Sequence, residues 1–326
     1  MILQLCKWTQ SNFYELARSR GIAQLLTISF SHYVEFSRWC LQAGGKIPFE
    51  EHGYAPVQHV LPVLNVRMNG PRPVLPSSHV GLSAAATATS ASTSAHAGVE
   101  SKPLLPEQHG AAAKKALEED AARPRSTLVP LLVLPDGTVL EDSWQIANAS
   151  GLTPLTDASL VELYDARLGP DSRQLVYAFL LKPGNRRTFD ALVCDARFGK
   201  LWQGLWWLVG DKVVQQMRRS FKVGDSQAYS ECRARLTHTL EDIAATRLRG
   251  RQGRFIGGDA PGVEDIALCA LVAPIVLPPL YCNGAFSEQF AALEALDPEV
   301  AAEVDFFRRT DVGKYCLDVY SGIRMK

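Results

Sequence analysis

Most of what this sequence lacks removes a class of function. It carries no surplus of either charge, because 34 basic residues stand against 34 acidic ones in a chain of 326. It therefore has no excess from which to build the basic face that nucleic acid or an anionic membrane surface requires. No two of its seven cysteines (Cys6, Cys40, Cys194, Cys232, Cys269, Cys282 and Cys316) form a CxxC pair. Their scatter and odd number point to reduced thiols in a cytosol-like compartment. The seven histidines lie apart from the cysteines in sequence, which argues against a metal site. No apolar run reaches the roughly 18 to 20 residues that cross a bilayer. The most apolar stretch, 266–280, is interrupted by Pro274, Pro278 and Pro279, so no membrane span is expected. Also missing are a GxGxxG after a strand, a Walker A lysine loop, a GxSxG elbow and an HExxH pair. The first 21 residues hold Lys7, Arg18 and Arg20 but also Glu15, without the unbroken apolar centre of a secretory signal. The expected location is the cytoplasm, with an organelle as the alternative. The triplet Asn148-Ala149-Ser150 is then a chance match to a glycosylation acceptor.

What remains is a globular composition, 47% hydrophobic and 21% charged, long enough for two domains. Residues 24–30, QLLTISF, form a short apolar run of the kind a buried strand shows. The period then changes: Tyr33, Val34, Trp39 and Leu41 recur at helical spacing until Gly44 and Gly45 stop the pattern. Ser31 stands where an N-cap stands, its hydroxyl near the free donors of the helix start. Residues 47–54 read as a second strand. From about Arg67 the composition collapses into small residues and prolines, and residues 68–125 are expected to be a disordered insertion. Within it, 111–121 has the pattern of a short helix. Order returns with TLVPLLVL, the turn PDG and TVLEDS, a strand hairpin leading into the helix WQIANAS. Pro130 is anomalous inside a strand, since it removes a ladder donor and belongs at an edge, a bulge or a cis turn. Beyond Asp157 strand signals end. Amphipathic segments follow at roughly 158–182, 187–220, 226–249, 263–283, 286–295 and 298–322. A strand-bearing half and a helix-only half predict two domains of different class, divided near residues 151–157.

FSHYVEFSRW, LVPLLVLPDGTVLEDSWQI and GRFIGGDAPGVEDIAL occur in this order. Together they resemble the glutathione transferases, at the first helix, the cis-proline hairpin and the capping box of a helix in the second half. The resemblance covers residues 24–66 and 126–322. It implies an α/β thioredoxin-like domain at 22–150, preceded by an extension at 1–21 and followed by an all-α domain at 158–326. It also implies glutathione as a co-substrate, no tightly bound cofactor, a small hydrophobic electrophile as the second substrate, and pairing of two subunits. Ser31 takes the position of the residue that handles the thiolate. A helix N-terminus, carrying about half a positive charge, favours that thiolate on physical grounds. Val129 before Pro130 takes the position whose backbone pairs with the cysteinyl unit. Asp142 and Ser143 take the turn that receives the γ-glutamyl carboxylate. Trp202 and Trp206, with Trp207 and Phe198, are candidates for the wall of the electrophile pocket, against the plainer reading that they are core.

Three departures stand out. His32 occupies a place where the family commonly has proline, and Asp142 one where it has Glu or Gln. The insertion falls between the second strand and the cis-proline strand, where the family's second helix helps bind the glycyl end of glutathione, so that loss of that helix would weaken binding; His59 and Arg67 are the only candidates nearby for the glycyl carboxylate. Asp265 with Gly262 imitates a capping box, a folding signal rather than a site. Two readings follow. One is a conjugating or peroxide-reducing transferase, with a serine rather than a cysteine at position 31 and with Cys40 too far along the helix to replace it. The other is a non-catalytic carrier of hydrophobic ligands or a protein-interaction module on the same fold.

Overall fold

A computed structural model describes residues 12–69 and 128–324. The expected insertion beyond residue 69, the short helix at 111–121 and the first 11 residues lie outside the described part. Six elements run up to the insertion's edge and into the sheet: α1 (Phe13–Arg20), β1 (Ala23–Ile28), α2 (His32–Gly44), β2 (Phe49–Tyr54), α3 (Val60–Asn69) and β3 (Leu131–Val133). They are followed by β4 (Val139–Leu140) and α4 (Ser143–Ala149). The sheet order is β2-β1-β3-β4, with β1 and β2 parallel and the other pairs antiparallel.

β1 is central and covered on both faces, which is why its sequence is a continuous apolar run and not an alternation. Its side chains nevertheless divide with period two. Ala23 and Leu25 join Leu41 of α2, Leu132 and Ile146 of α4 on one face. Leu26 joins Leu131, Val133, Val139, Val63 and Val66 on the other, together with Phe13 and Ala17 of α1. This three-layer arrangement is a thioredoxin-like unit. The hairpin closes through the Leu134 N–H to the Thr138 carbonyl at 2.8 Å, with the Asp136 carboxylate accepting from the Thr138 N–H.

A helix follows β2: α3 forms through Asn69, two residues into the segment assigned to the insertion. Pro62 sits in its first turn, where a missing N–H costs nothing, and that proline together with the neighbouring low-complexity run disguised it in sequence. Pro130 stands just before β3, which starts at Leu131, and the Val129-Pro130 bond is cis, as the resemblance implies.

Helices alone follow. α5 (Ala158–Leu163) passes through a π turn, Tyr164–Leu168, into α6 (Gly169–Leu180). Then come α7 (Arg186–Val193), α8 (Lys200–Ser220), α9 (Ser226–Ile243), α10 (Val263–Val276), α11 (Ser287–Leu296), α12 (Pro298–Arg309) and α13 (Asp311–Ile323). The segment read as one helix over 187–220 is broken at Gly199 (φ 86°), and that over 298–322 at Thr310, whose hydroxyl caps α13. α10 is apolar all round and wholly buried, the pattern of a helix at the centre of a bundle. It packs against α2, α6 and α13. Asp265 accepts from the Gly262 N–H at 2.8 Å and the Ile256 N–H at 2.7 Å; Gly262 has no side chain to return the bond, so only one half of a capping box is present.

Candidate functional site at the start of the second helix

The turn from β1 into α2 carries Ser31. Ser31 is the N-cap of α2 by position, with extended backbone at φ −76° and ψ 133°, but its hydroxyl makes no cap bond. The expected capping role is therefore absent, and the helix start has no side-chain acceptor from its own cap. An uncapped 13-residue helix keeps its positive N-terminal potential for another acceptor.

The turn is held from three sides. The Ser31 N–H donates to the Ile28 carbonyl at 2.9 Å. The Ser29 carbonyl accepts from Arg38 Nη2 at 3.1 Å, and the Phe30 carbonyl accepts from the buried Tyr281 hydroxyl at 2.9 Å. Arg38 itself is fixed by a buried charge network. It meets Glu51 of β2 through two bonds of 2.6 Å and Glu35 at 2.7 Å. Arg324, past the end of α13, reaches Glu35 at 2.5 Å, and the Tyr320 hydroxyl donates to the same carboxylate at 3.2 Å. Two guanidinium groups thus balance two carboxylates beneath the turn, which keeps each buried charge paired. Tyr281, Tyr320 and Arg324 lie some 250 or more positions from their partners, so no local sequence signal could have found them.

His32, the first residue of α2, is 4% exposed and its Nε2 has no partner among the described residues. Burial pushes its pKa down to about 3, helped by the nearby Arg173 charge and opposed by a backbone hydrogen bond at Gly169. The imidazole is neutral under physiological conditions and too weak a base to take a thiol proton. Tyr33 follows, its ring against Gly169 and its hydroxyl pushed to a higher pKa, first by burial and then by the Asp165 charge. Cys40 is fully buried and its thiol is driven well above the ordinary range by desolvation, which removes it as a nucleophile.

The register of the sheet brings the next candidates alongside. β1 and β3 pair as Gln24–Val133, Leu25–Leu132 and Leu26–Leu131. Continued outward, this register sets Pro130 opposite Thr27 and Val129 opposite Ile28, beside the turn that carries Ser31. Val129 is half-buried and its backbone groups have no hydrogen bond among the described residues, leaving an open edge. Asp142 and Ser143 follow β4 at the head of α4. Asp142 caps α4 by accepting from the Trp144 N–H at 2.7 Å. Ser143 is therefore not the cap, and its hydroxyl forms no hydrogen bond among the described residues although the residue is only 6% exposed. Arg67 of α3 comes to the same turn, 3.8 Å from the Glu141 carboxylate, with its Nε buried and unpartnered. His59 lies in the turn that leads into α3.

The tryptophans lie on α8. Trp202 and Trp206 are 1% and 4% exposed on α8, with their indole N–H groups donating to the Val193 carbonyl and the Asp190 carboxylate, both at 2.9 Å. They pack with Phe189 of α7 and are buried in the core. Phe198 is buried and its carbonyl accepts from Gln58 Nε2 at 3.3 Å, whereas Trp207 is 84% exposed. Among the described residues no helix is long and apolar enough to cross a membrane, and no group of His, Cys, Asp and Glu is arranged to hold a metal ion.

The sheet order, the cis-Pro edge and the helices-only second half give an α/β thioredoxin-like part followed by an all-α part. No protein-family profile matches the chain, and no curated protein matches it. Solved structures do. A glutathione transferase family member from Pseudomonas fluorescens pf-5, with two glutathione molecules bound, is 13% identical, with 96% of this chain and 97% of that one covered and a TM-score of 0.41. A glutathione S-transferase of Ceriporiopsis subvermispora in complex with glutathione is 12% identical, with 90% and 97% covered and a TM-score of 0.45. A glutathione transferase from Phanerochaete chrysosporium is 12% identical over 90% and 97%, with a TM-score of 0.42.

Proposed function

We propose that this chain is a glutathione transferase-like protein that presents reduced glutathione to a small hydrophobic electrophile. The observation that carries the reading is the coincidence of three unsatisfied polar positions around one corner of the sheet. These are the Ser31 hydroxyl at an uncapped helix start, the open backbone of Val129 before the cis-proline, and the Ser143 hydroxyl at the head of α4. Each matches one end or the middle of a γ-glutamyl-cysteinyl-glycine chain. An extended peptide adds to the Val129 edge through its backbone. Its γ-glutamyl carboxylate meets Ser143 and the N–H groups of α4, and Arg67 stands near enough to the same turn to contribute a charge.

In this reading Ser31 donates its hydroxyl to the cysteinyl sulfur, and the helix dipole lowers the thiol pKa. The thiol proton leaves to solvent, since neutral His32 does not take it. The thiolate then forms a carbon–sulfur bond while the leaving group departs with its electron pair. Binding and proximity supply most of the acceleration. The division into a sheet domain at 22–150 and a helical domain at 158–326 belongs to the same proposal.

Isothermal titration with reduced glutathione tests it, with Ser31→Ala and Ser143→Ala beside the parent chain. Binding in the micromolar-to-millimolar range that weakens about tenfold in Ser143→Ala supports the reading, since one charge-assisted bond is worth that much. Ser31→Ala is expected to leave affinity nearly intact and to raise the pKa of the bound thiol, read from thiolate absorbance. Absence of heat with glutathione in excess turns the assignment to a non-catalytic carrier.

A further inference from the structure

α8 meets the rest of the molecule with one face and leaves the other bare. Its buried residues, Trp202, Trp206, Gly210 and Val214, share one side at 100° per residue. The opposite arc, about 160° wide, carries Leu201, Leu205, Leu208 and Trp207 in the first half of the helix and Lys212, Arg218 and Arg219 in the second. Trp207 is 84% exposed, more than any other large apolar residue described, and Leu208 and Leu205 are 67% and 42% exposed.

Lys200 stands exposed at the start of the helix and Lys222 just past its end. None of these lysines and arginines has an ion-pair partner among the described residues. The only carboxylate in α8, that of Asp211, is held by Arg186 Nη1 at 2.7 Å. The chain as a whole has no surplus of basic residues, but here its charges are segregated. A bare tryptophan and a row of leucines, continued by unpaired cations, are what a helix lying on lipid presents. The apolar side chains enter the boundary between headgroups and acyl chains, and the cations meet the anionic headgroups. A second copy of the chain does not complement this face. Two-fold pairing of parallel helices sets cations against cations, and pairing of antiparallel helices sets them against the apolar half, with no free carboxylate supplied by α8 in either case.

We propose that α8 docks the protein peripherally on a membrane surface rich in anionic phospholipid. The helix, about 31 Å long, lies in the bilayer plane with Leu205, Trp207 and Leu208 at the headgroup–acyl boundary and Lys212, Arg218 and Arg219 among the headgroups. The attachment is from one side and needs no spanning helix. It is built on α8 alone and stands whether or not the transferase reading holds.

The test is flotation of the full chain with vesicles of phosphatidylcholine, pure or with roughly 30% phosphatidylserine. The mixed vesicles are expected to carry half of the protein at a lipid concentration on the order of 0.1 mM, and the neutral ones to bind at least about tenfold more weakly. Sodium chloride at about 0.5 M releases the protein by screening the headgroup attraction. Lys212→Gln with Arg219→Gln weakens flotation at least about tenfold, and so does Trp207→Gln with Leu208→Gln. All four side chains are exposed, so both double variants keep the fold, which an unchanged Tm verifies. Brominated phosphatidylcholine in the mixed vesicles quenches the tryptophan fluorescence, and Trp207→Phe loses most of that quenching. No flotation, equal flotation with neutral vesicles, parent-like flotation of either double variant, or undiminished quenching in Trp207→Phe overturns the proposal. So does a dimer in sedimentation velocity that Trp207→Gln with Leu208→Gln dissolves, since that gives the face to a second copy.

Discussion

His32 gives the sharpest test of the corner that holds Ser31. In the unfolded chain its pKa is about 6.5. In the folded chain burial, and secondarily Arg173, lower it to about 3. A lowered folded pKa means that the unfolded state binds the proton more readily. The stabilisation is complete above pH 6.5 and drains away as pH falls from there toward 3. Between pH 7.5 and 5.0 the loss from this one group is about 2 kcal/mol, from 1.36 kcal/mol per pH unit over roughly 1.5 units of effective titration. His52 is also lowered by burial, so the parent chain alone does not isolate the effect. His32→Gln does, because it removes one titration and leaves the others. Urea unfolding at the two pH values, followed by tryptophan fluorescence, is expected to show the parent losing about 2 kcal/mol more than the variant. Equal losses in the two proteins would refute a buried, neutral imidazole at the start of α2.

The remaining predictions concern the scaffold. Arg38→Met leaves the fully buried Glu35 with Arg324 as its one remaining cation among the described residues and takes the guanidinium from Glu51, and is expected to cost about 3 to 5 kcal/mol in chemical denaturation. Gly169→Ala sets a methyl group 2.2 Å from the Tyr33 hydroxyl and 2.7 Å from its ring carbon, so Tyr33 must move, and a loss of about 1 to 3 kcal/mol should appear as a lower Tm. Trp206→Phe removes the bond to Asp190 and should cost about 1 kcal/mol while leaving glutathione affinity unchanged; a large fall in affinity would return this tryptophan to the ligand site.

The sequence by itself determined the order of elements. The apolar run at 24–30 carries a strand covered on both faces, the glycine pair at 44–45 ends a helix, and PDG between two apolar runs closes a hairpin. These are local decisions, made by backbone sterics and side-chain period within a few residues. Local reading failed where a local signal misled. Pro62 and the low-complexity run beside it hid α3, and the hydroxyl of Ser31 looked like a cap although it makes no cap bond. The aromatic spacing of Trp202 and Trp206 could not distinguish a pocket wall from core, because both use one helix face.

Only the tertiary structure decided what surrounds Ser31. Tyr281 grips the Phe30 carbonyl and Arg324 meets Glu35 across almost the whole chain, and burial rather than residue type makes His32 neutral. Desolvation and charge pairing depend on which atoms exclude water from which others, and a linear sequence does not hold that information until the chain has closed on itself.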